Sequence, residues 1–219
     1  MSTIAKQIRN GLFITLAACC TVTHADESRW WAHIGGAKIN FDENVTLRAA
    51  GVTVPGAGAS VSNNTALILE TGYRISPDWS ASVTVGTPPT SSATGTGSAQ
   101  AFGKIGSITY GPLVLNLQYW FDAYKGVRPY VGAGAVYYIV MRSKDAALEQ
   151  LHASSGWGYG VQAGFEYALS DRYGLFFDAK KLFVETQARG VAPALGGAPV
   201  SATIQLDPWV FHAGLSISF

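Results

Sequence analysis

The sequence is poor in charge, and beyond its N-terminal segment it lacks cysteine. Asp, Glu, Lys and Arg make up 13% of the 219 residues, whereas about 25% is usual in soluble proteins. The two cysteines are Cys19 and Cys20, so a disulfide framework in the remainder of the chain is excluded. Past residue 25 no apolar run reaches the length of about 20 residues that a membrane-spanning helix needs. A helical membrane protein is therefore excluded as well.

The first 25 residues have the parts of a secretory signal peptide. Lys6 and Arg9 give a positive start, residues 11–22 form an apolar stretch, and residues 23–25 (Thr-His-Ala) resemble a cleavage site. We therefore predict residues 1–25 as a signal peptide and residues 26–219 as one exported domain. An alternative is lipidation at Cys19, because residues 16–19 (Leu-Ala-Ala-Cys) resemble a lipoprotein box.

The predicted exported domain has almost no net charge. Without Lys6 and Arg9 the chain keeps 13 basic and 14 acidic side chains. This balance offers no basic patch, so we expect no nucleic-acid partner. An exported chain of this composition is either a secreted soluble β-domain or a transmembrane barrel.

Apolar residues recur at every second position along most of the chain, which predicts strands with two unlike faces. The last strand shows it best, because alternate residues from Trp209 to Ile217 are apolar and the chain ends on Phe219. An apolar edge at a terminus promotes aggregation in a soluble protein, whereas a closed barrel has no edge. We predict eight strands, at residues 30–41, 65–75, 81–86, 113–121, 128–141, 157–169, 173–186 and 204–219.

The connections between these strands alternate between long and short, as in outer-membrane barrels. The long ones are predicted as loops at residues 42–64, 90–102, 142–154 and 189–201, with a helical turn at 146–151. The predicted fold is all-β: an eight-stranded antiparallel up-and-down transmembrane β-barrel with short periplasmic turns and longer extracellular loops. A soluble sandwich is the alternative, but its outward faces would carry charges. Here the polar faces are mostly Gly, Ser, Asn and Gln, which suit a narrow interior.

Several spaced motifs resemble the outer membrane protein W family. They are residues 112–121, residues 128–134 (Arg-Pro-Tyr-Val-Gly-Ala-Gly), residues 155–164 and residues 206–211 (Leu-Asp-Pro-Trp-Val-Phe). The resemblance implies a barrel in a Gram-negative outer membrane. It also implies a narrow, mainly hydrophobic channel used by small apolar compounds, and alkane uptake is a role of some relatives. Outer-membrane lipid and small apolar solutes are therefore the expected partners.

The predicted strand directions place inward-facing residues by height. Near the outer mouth they predict an apolar funnel, lined by Ile68, Val114, Val136, Leu182, Val184 and Val210. Below it they predict a polar plug made by Glu70, Arg74, Thr84, Asn116, Gln118, Glu166, Asp178, Lys180 and His212. The alternative for the seventh strand is a register shifted by one residue, which would turn these side chains outward.

The five charges of the predicted plug are three negative and two positive, so they can pair with one another. Pairing is needed because an isolated buried charge costs several kcal/mol. We interpret the plug as a closure of the barrel, with gating or selection of ions as the alternative. An apolar solute could then leave sideways. Proline cannot donate to a strand ladder, so Pro88, Pro89 and Pro112 predict a weak seam between the third and fourth strands.

The sequence offers little for catalysis. His33, His152 and His212 are the histidines beyond the signal peptide, and nothing in the sequence places one against an activated serine. No residue spacing indicates a metal site, and no cofactor is expected. A structural or surface-interaction role without transport is the alternative function. The terminal Phe219 resembles the signal read by the outer-membrane insertion machinery, which is the other expected partner.

Overall fold

A computed structural model describes residues 29–219 of the chain. Eight long strands close into one antiparallel barrel, because each strand pairs with the next and the last, β14, pairs with the first. The predicted fold class is therefore confirmed. The described residues include no helix long and apolar enough to cross a membrane. The barrel strands are β1 (Trp30–Asn40), β5 (Asn64–Arg74), β6 (Trp79–Gly86), β8 (Lys104–Trp120), β9 (Val127–Asp145), β11 (Gly156–Ala168), β12 (Tyr173–Ala192) and β14 (Trp209–Ser218).

The two ends of the barrel differ. One end, the turn end, carries the short connections and the C-terminus; the other, the loop end, carries the long connections. Between them the outward side chains are mostly apolar and exposed, as a lipid-facing wall requires. Exposed aromatic residues border this wall at both ends. Near the turn end they are Trp30, Trp79, Tyr167 and Tyr173, and near the loop end they are Trp157, Tyr159 and Trp209.

Six further strands extend the wall beyond the loop end, and we call this part the extension. It also includes the upper parts of β8, β9 and β12. Two short 3-10 helices, Gln100–Phe102 and Pro193–Leu195, lie at its connections. The further strands are β2 (Asn44–Ala49), β3 (Val52–Thr53), β4 (Ala57–Val61), β7 (Thr90–Gly97), β10 (Glu149–Ala153) and β13 (Ala198–Gln205).

The prediction that the four long connections are loops is wrong. Residues 42–64 contain β2, β3 and β4, and residues 90–102 contain β7 and a 3-10 helix. In the third connection β9 runs on to Asp145 and β10 replaces the predicted helical turn. In the fourth, β12 continues to Ala192 and β13 starts at Ala198.

These strands were not predicted because their apolar and polar faces are reversed relative to those of the barrel strands. In the membrane the apolar face points outward, whereas the extension meets water and turns its apolar face inward. In β2, for example, Leu47 is buried while Thr46 and Arg48 are exposed. Much of the outward face consists of Ser, Thr, Gly and Ala, so the alternation is faint.

The closing strand is also shorter than predicted. Residues 204–219 were expected to form one strand, but they are divided between β13 and β14 by Leu206, Asp207 and Pro208. Asp207 has a positive φ of 33°, and Pro208 has no N–H to donate. The strand that closes the barrel is therefore Trp209–Ser218.

Candidate functional site

An apolar layer fills the lumen toward the loop end. All six side chains predicted for the apolar funnel are at least 92% buried and belong to one cluster. A cavity of about 20 Å³ borders four of them, Val136, Leu182, Val184 and Val210, and it is too small to hold a solute. The prediction missed other members of the same cluster: Ala37, Ile39, Tyr110, Tyr138 and Leu206.

A hydrogen-bonded polar network crosses the lumen below the apolar layer. At its centre the Lys180 ammonium lies 2.9 Å from Glu70 Oε2 and 2.7 Å from Asp178 Oδ1. It also donates to Gln162 Oε1 at 2.7 Å. Alternate residues of β12 are buried from Gly174 to Thr186, so the seventh strand has the register that points Asp178 and Lys180 inward.

Amide and hydroxyl groups complete the network around Glu70. The Glu70 Oε1 atom accepts hydrogen bonds from Ser82 (2.7 Å) and from the Gln118 amide (2.8 Å). Asn116 donates to Gln162 Oε1 at 2.6 Å. The predicted plug residues Thr84 and His212 are buried as well, and His212 lies edge-on to Phe176 with 4.6 Å between ring centroids.

The charged plug residues form two groups, where a single network had seemed possible. Glu166 lies apart from Lys180, nearer the turn end, where it accepts a hydrogen bond from Ser216 and lies 2.6 Å from His33 Nε2. Arg74 stacks its guanidinium over Trp120 at 5.4 Å. The two groups lie at different heights in the lumen, because Glu166 pairs in register with Arg128, close to a short turn.

An aromatic layer lies near the turn end, and the predicted funnel and plug did not include it. Trp31 and Tyr130 are buried against Trp120, and Phe176 stacks on His33 with 4.1 Å between ring centroids. Trp31 fits because the facing residue is Gly72, where a Cβ would lie 2.3 Å from the indole. In the sequence, an inward-facing glycine opposite a large aromatic residue could have indicated this layer.

The three prolines lie beside an interruption of the barrel ladder. Pairing of β6 with β8 ends at Thr84 and Val114. The ladder resumes where Tyr110 donates its backbone N–H to the Pro89 carbonyl at 3.2 Å, and from Thr90 and Thr109 onward the register of β7 with β8 is shifted by one residue. Pro88 lies within this interval, and Pro89 lies at its end. Pro112 lies on the other side, in the middle of β8, because β8 begins at Lys104 and not at residue 113 as predicted.

The interior of the extension is apolar. A cavity of about 200 Å³ is lined mainly by hydrophobic side chains, among them Leu47, Phe102, Ile105, Leu148 and Val200. A smaller cavity of about 40 Å³ lies next to it and shares four of these residues. Sequence reasoning missed this chamber because it had assigned the segments that build it to loops.

The histidines and serines of the lumen do not form a nucleophilic pair. Ser216 donates its hydrogen bond to Glu166, and His33 contacts the same carboxylate. A serine nucleophile needs a hydrogen bond to its base, and here the carboxylate lies between the two groups. His152 lies on β10, opposite Arg189.

Three comparisons relate this architecture to known proteins. Residues 30–219 match the model of the OmpW family. The chain is 34% identical over 208 residues to the dibenzothiophene metabolism operon protein PahQ of Pseudomonas aeruginosa, covering 95% of this chain and 97% of that protein. It is similar in structure to OprG of Pseudomonas aeruginosa (TM-score 0.81, 22% identity, 88% and 97% covered). It is also similar to AlkL in lipid bilayers (TM-score 0.70, 27% identity, 94% and 97% covered). The chain belongs to the OmpW family of outer-membrane β-barrel proteins.

Proposed function

We propose that the protein is an outer-membrane channel for small hydrophobic molecules. The observation that carries this proposal is the apolar interior that begins in the extension and reaches the lumen. Leu47, Ile105, Leu148 and Val200 line both cavities of the extension. Ile108 and Ile204 line the smaller cavity and also pack against the apolar layer of the lumen. An apolar solute could move along these walls without contacting the aqueous surface.

The chamber of the extension is large enough to hold a solute, whereas the layer below it must loosen to let one pass. A volume of about 200 Å³ approaches the size of small-molecule pockets, which start at about 300 Å³. The chamber lies beyond the loop end, on the extracellular side. Uptake would therefore begin outside the bilayer.

The polar network supports a route that does not cross the whole lumen. An apolar solute passing it would have to separate Lys180 from Glu70 and Asp178, and an unpaired buried charge costs several kcal/mol. Sideways release into lipid above the network avoids that cost. The interrupted ladder beside Pro88, Pro89 and Pro112 is the exit that we propose.

Hydrocarbons and fused aromatic compounds are the substrate class that we infer. The walls of the chamber present few hydrogen-bonding groups, so shape and burial of apolar area would drive binding. The name of PahQ refers to dibenzothiophene metabolism, which agrees with this class.

Uptake by cells that lack the gene and carry a plasmid copy tests the channel. The Leu148→Asn variant places an amide in the chamber wall, and we expect uptake of labelled naphthalene at low concentration to fall several-fold. The neighbouring Glu149→Gln variant is the matched control, because Glu149 is exposed on the outside. Equal uptake in both variants would contradict the proposed route. The surface role would be favoured if deletion of the gene left uptake unchanged and the purified protein showed no single-channel conductance in a planar bilayer.

Disulfide staples test the lateral exit. Val85→Cys with Leu113→Cys would tie the first unpaired positions above the end of the β6–β8 ladder. Val83→Cys with Leu115→Cys, at directly paired positions of the same ladder, is the control. We expect the first staple to block uptake until it is reduced, and the control staple to leave uptake unchanged. Unchanged uptake with the first staple oxidised would exclude this exit.

A further inference from the structure

The lipid-facing wall carries an exposed lysine without a protein partner. Lys38 lies on β1 and points outward, and its ammonium makes no hydrogen bond or ion pair with any residue between 29 and 219. Its register partner is Phe211, and Trp209, at the aromatic border near the loop end, pairs with the next outward residue, Asn40. Lys38 therefore lies just below the outer membrane interface.

A second outward lysine lies close to the same level on the other side of β14. Lys181 on β12 pairs in register with Trp209 and lies 5.4 Å from the centre of its ring. Its ammonium donates to the Asp207 carbonyl at 2.6 Å and to Asp42 at 3.3 Å. The Lys181 side chain is only 14% exposed and is paired with a carboxylate, whereas Asp42 itself is largely exposed, so Lys181 contributes less free positive charge to the wall than Lys38. Near this border the outward face of β12 also carries an acid, Glu185, which is exposed two outward positions beyond Lys181.

Lysine in these positions is expected to extend toward the headgroups. A cation on the lipid face costs about 2–4 kcal/mol at the midplane and about 0–1 kcal/mol near the interface. The long side chain lets the ammonium reach the polar layer. A free lysine ammonium at this level, as at Lys38, suits an anionic group in the outer leaflet.

A notch in the apolar wall lies directly below Lys38. Gly36 pairs in register with Ala213, and a Cβ at Gly36 would meet nothing within 4 Å. Larger outward side chains surround this pair: Phe211 above, Phe177 and Leu67 beside it, and Ile34 and Leu215 below. The notch is open to lipid, and it leaves the backbone at Gly36 uncovered by side chains.

We propose that β1, β14 and β12 form a binding site for the phosphorylated glycolipid of the outer leaflet. Lys38 and Lys181 bind its headgroup phosphates, and one acyl chain lies in the notch at Gly36 and Ala213. Asp42 limits the positive charge at Lys181, which makes Lys38 the main determinant. The site holds one side of the barrel, formed by β1, β14 and β12, in contact with a specific lipid.

Native mass spectrometry of the full-length barrel in phosphatidylcholine nanodiscs, doped with bisphosphorylated lipid A, measures this binding. We expect Lys38→Gln to lower the apparent affinity about five-fold, which corresponds to about 1 kcal/mol for one basic residue at a charged membrane surface. Gly36→Leu should also lower it, because the new side chain fills the notch. Lys104→Gln, which removes an exposed lysine of the extension, is the control and should bind as wild type.

Two further lipids decide what the site recognises. Dephosphorylated lipid A should bind weakly, and phosphatidylglycerol should bind less tightly than lipid A because it brings a single phosphate. The proposal would be overturned by equal retention of phosphatidylglycerol, by equal retention of dephosphorylated lipid A, or by wild-type affinity in Lys38→Gln. Heat-dependent gel mobility confirms that each variant is folded before it is measured.

Discussion

Lys180 shows which residue-scale features the sequence could predict. Alternation on β12 was enough to place Lys180 and Asp178 in the lumen. Its partners could not be predicted, because Glu70 is 110 residues away in the chain and the barrel stagger decides which side chains meet. His33 was missed as a lumen residue for a similar reason, since β1 mixes glycine, alanine and large residues on both faces.

Removing the ammonium of Lys180 should destabilise the barrel strongly. In Lys180→Met, Glu70 and Asp178 stay buried without their cation, and breaking such a group costs about 3–5 kcal/mol. Urea unfolding in lipid vesicles measures the free energy of unfolding. Lys104→Met at an exposed position is the control, and we expect a change within about 0.5 kcal/mol.

Neutralising the two carboxylates should restore part of this loss. We expect the triple variant Lys180→Met, Glu70→Gln, Asp178→Asn to be more stable than Lys180→Met alone, because no unpaired charge remains. If Lys180→Met were as stable as the wild type, this would show that water already solvates the two carboxylates.

The strands of this fold follow two opposite patterns of apolar and polar faces, and only one of these patterns could be recognised in the sequence. Inside the bilayer the apolar face of each strand is outward, which made β11 and β14 easy to recognise. In the extension the apolar face is inward, and short strands such as β3, with two residues, give no periodicity to detect. The eight barrel strands were therefore predicted, whereas the strands of the extension were not.

The C-terminal residue should matter more for assembly than for the channel. Phe219 follows β14, donates its backbone N–H to the Trp30 carbonyl at 2.9 Å, and has a side chain that is 53% exposed. Deleting Phe219 removes this bond and the terminal aromatic, while the lumen keeps all its side chains. We expect a lower yield of folded protein in the outer membrane, measured by heat-dependent gel mobility, and normal uptake per folded molecule.

Replacing the aromatic gives the matched comparison for this deletion. Phe219→Tyr keeps a ring at the terminus and should assemble like the wild type. Insertion of the deletion variant at the wild-type level would count against a role of Phe219 in recognition.

At the scale of the whole molecule, two environments act on one continuous wall. The membrane part is surrounded by lipid, and its backbone bonds must be satisfied within the barrel. The extension is surrounded by water and depends on its own apolar interior, at Ile105, Leu148 and Ala192. The membrane strands could be predicted from the sequence because lipid imposes a strict alternation of apolar residues. Water imposes no comparable alternation on the strands of the extension.

Amide hydrogen exchange in lipid vesicles should separate the two parts. We expect amides of β2, β3 and β4 to exchange faster than those of β11, because local opening costs least where strands are short and solvated. Mass spectrometry of peptides after timed exposure to deuterated water measures this order. Equal amide protection in the two regions would contradict the expectation that the extension opens more readily than the barrel.

The strands that pass from the barrel into the extension are not equally continuous. On one half of the circumference β8, β9 and β12 run without interruption over 17, 19 and 20 residues, and the strand between β9 and β12 is broken at residues 154–155. On the other half all four strands are broken, at residues 41–43, 62–63, 87–89 and 206–208. The continuous strands can therefore serve as a hinge. A small tilt of the extension about this hinge would widen the broken side while every periplasmic turn stays in place.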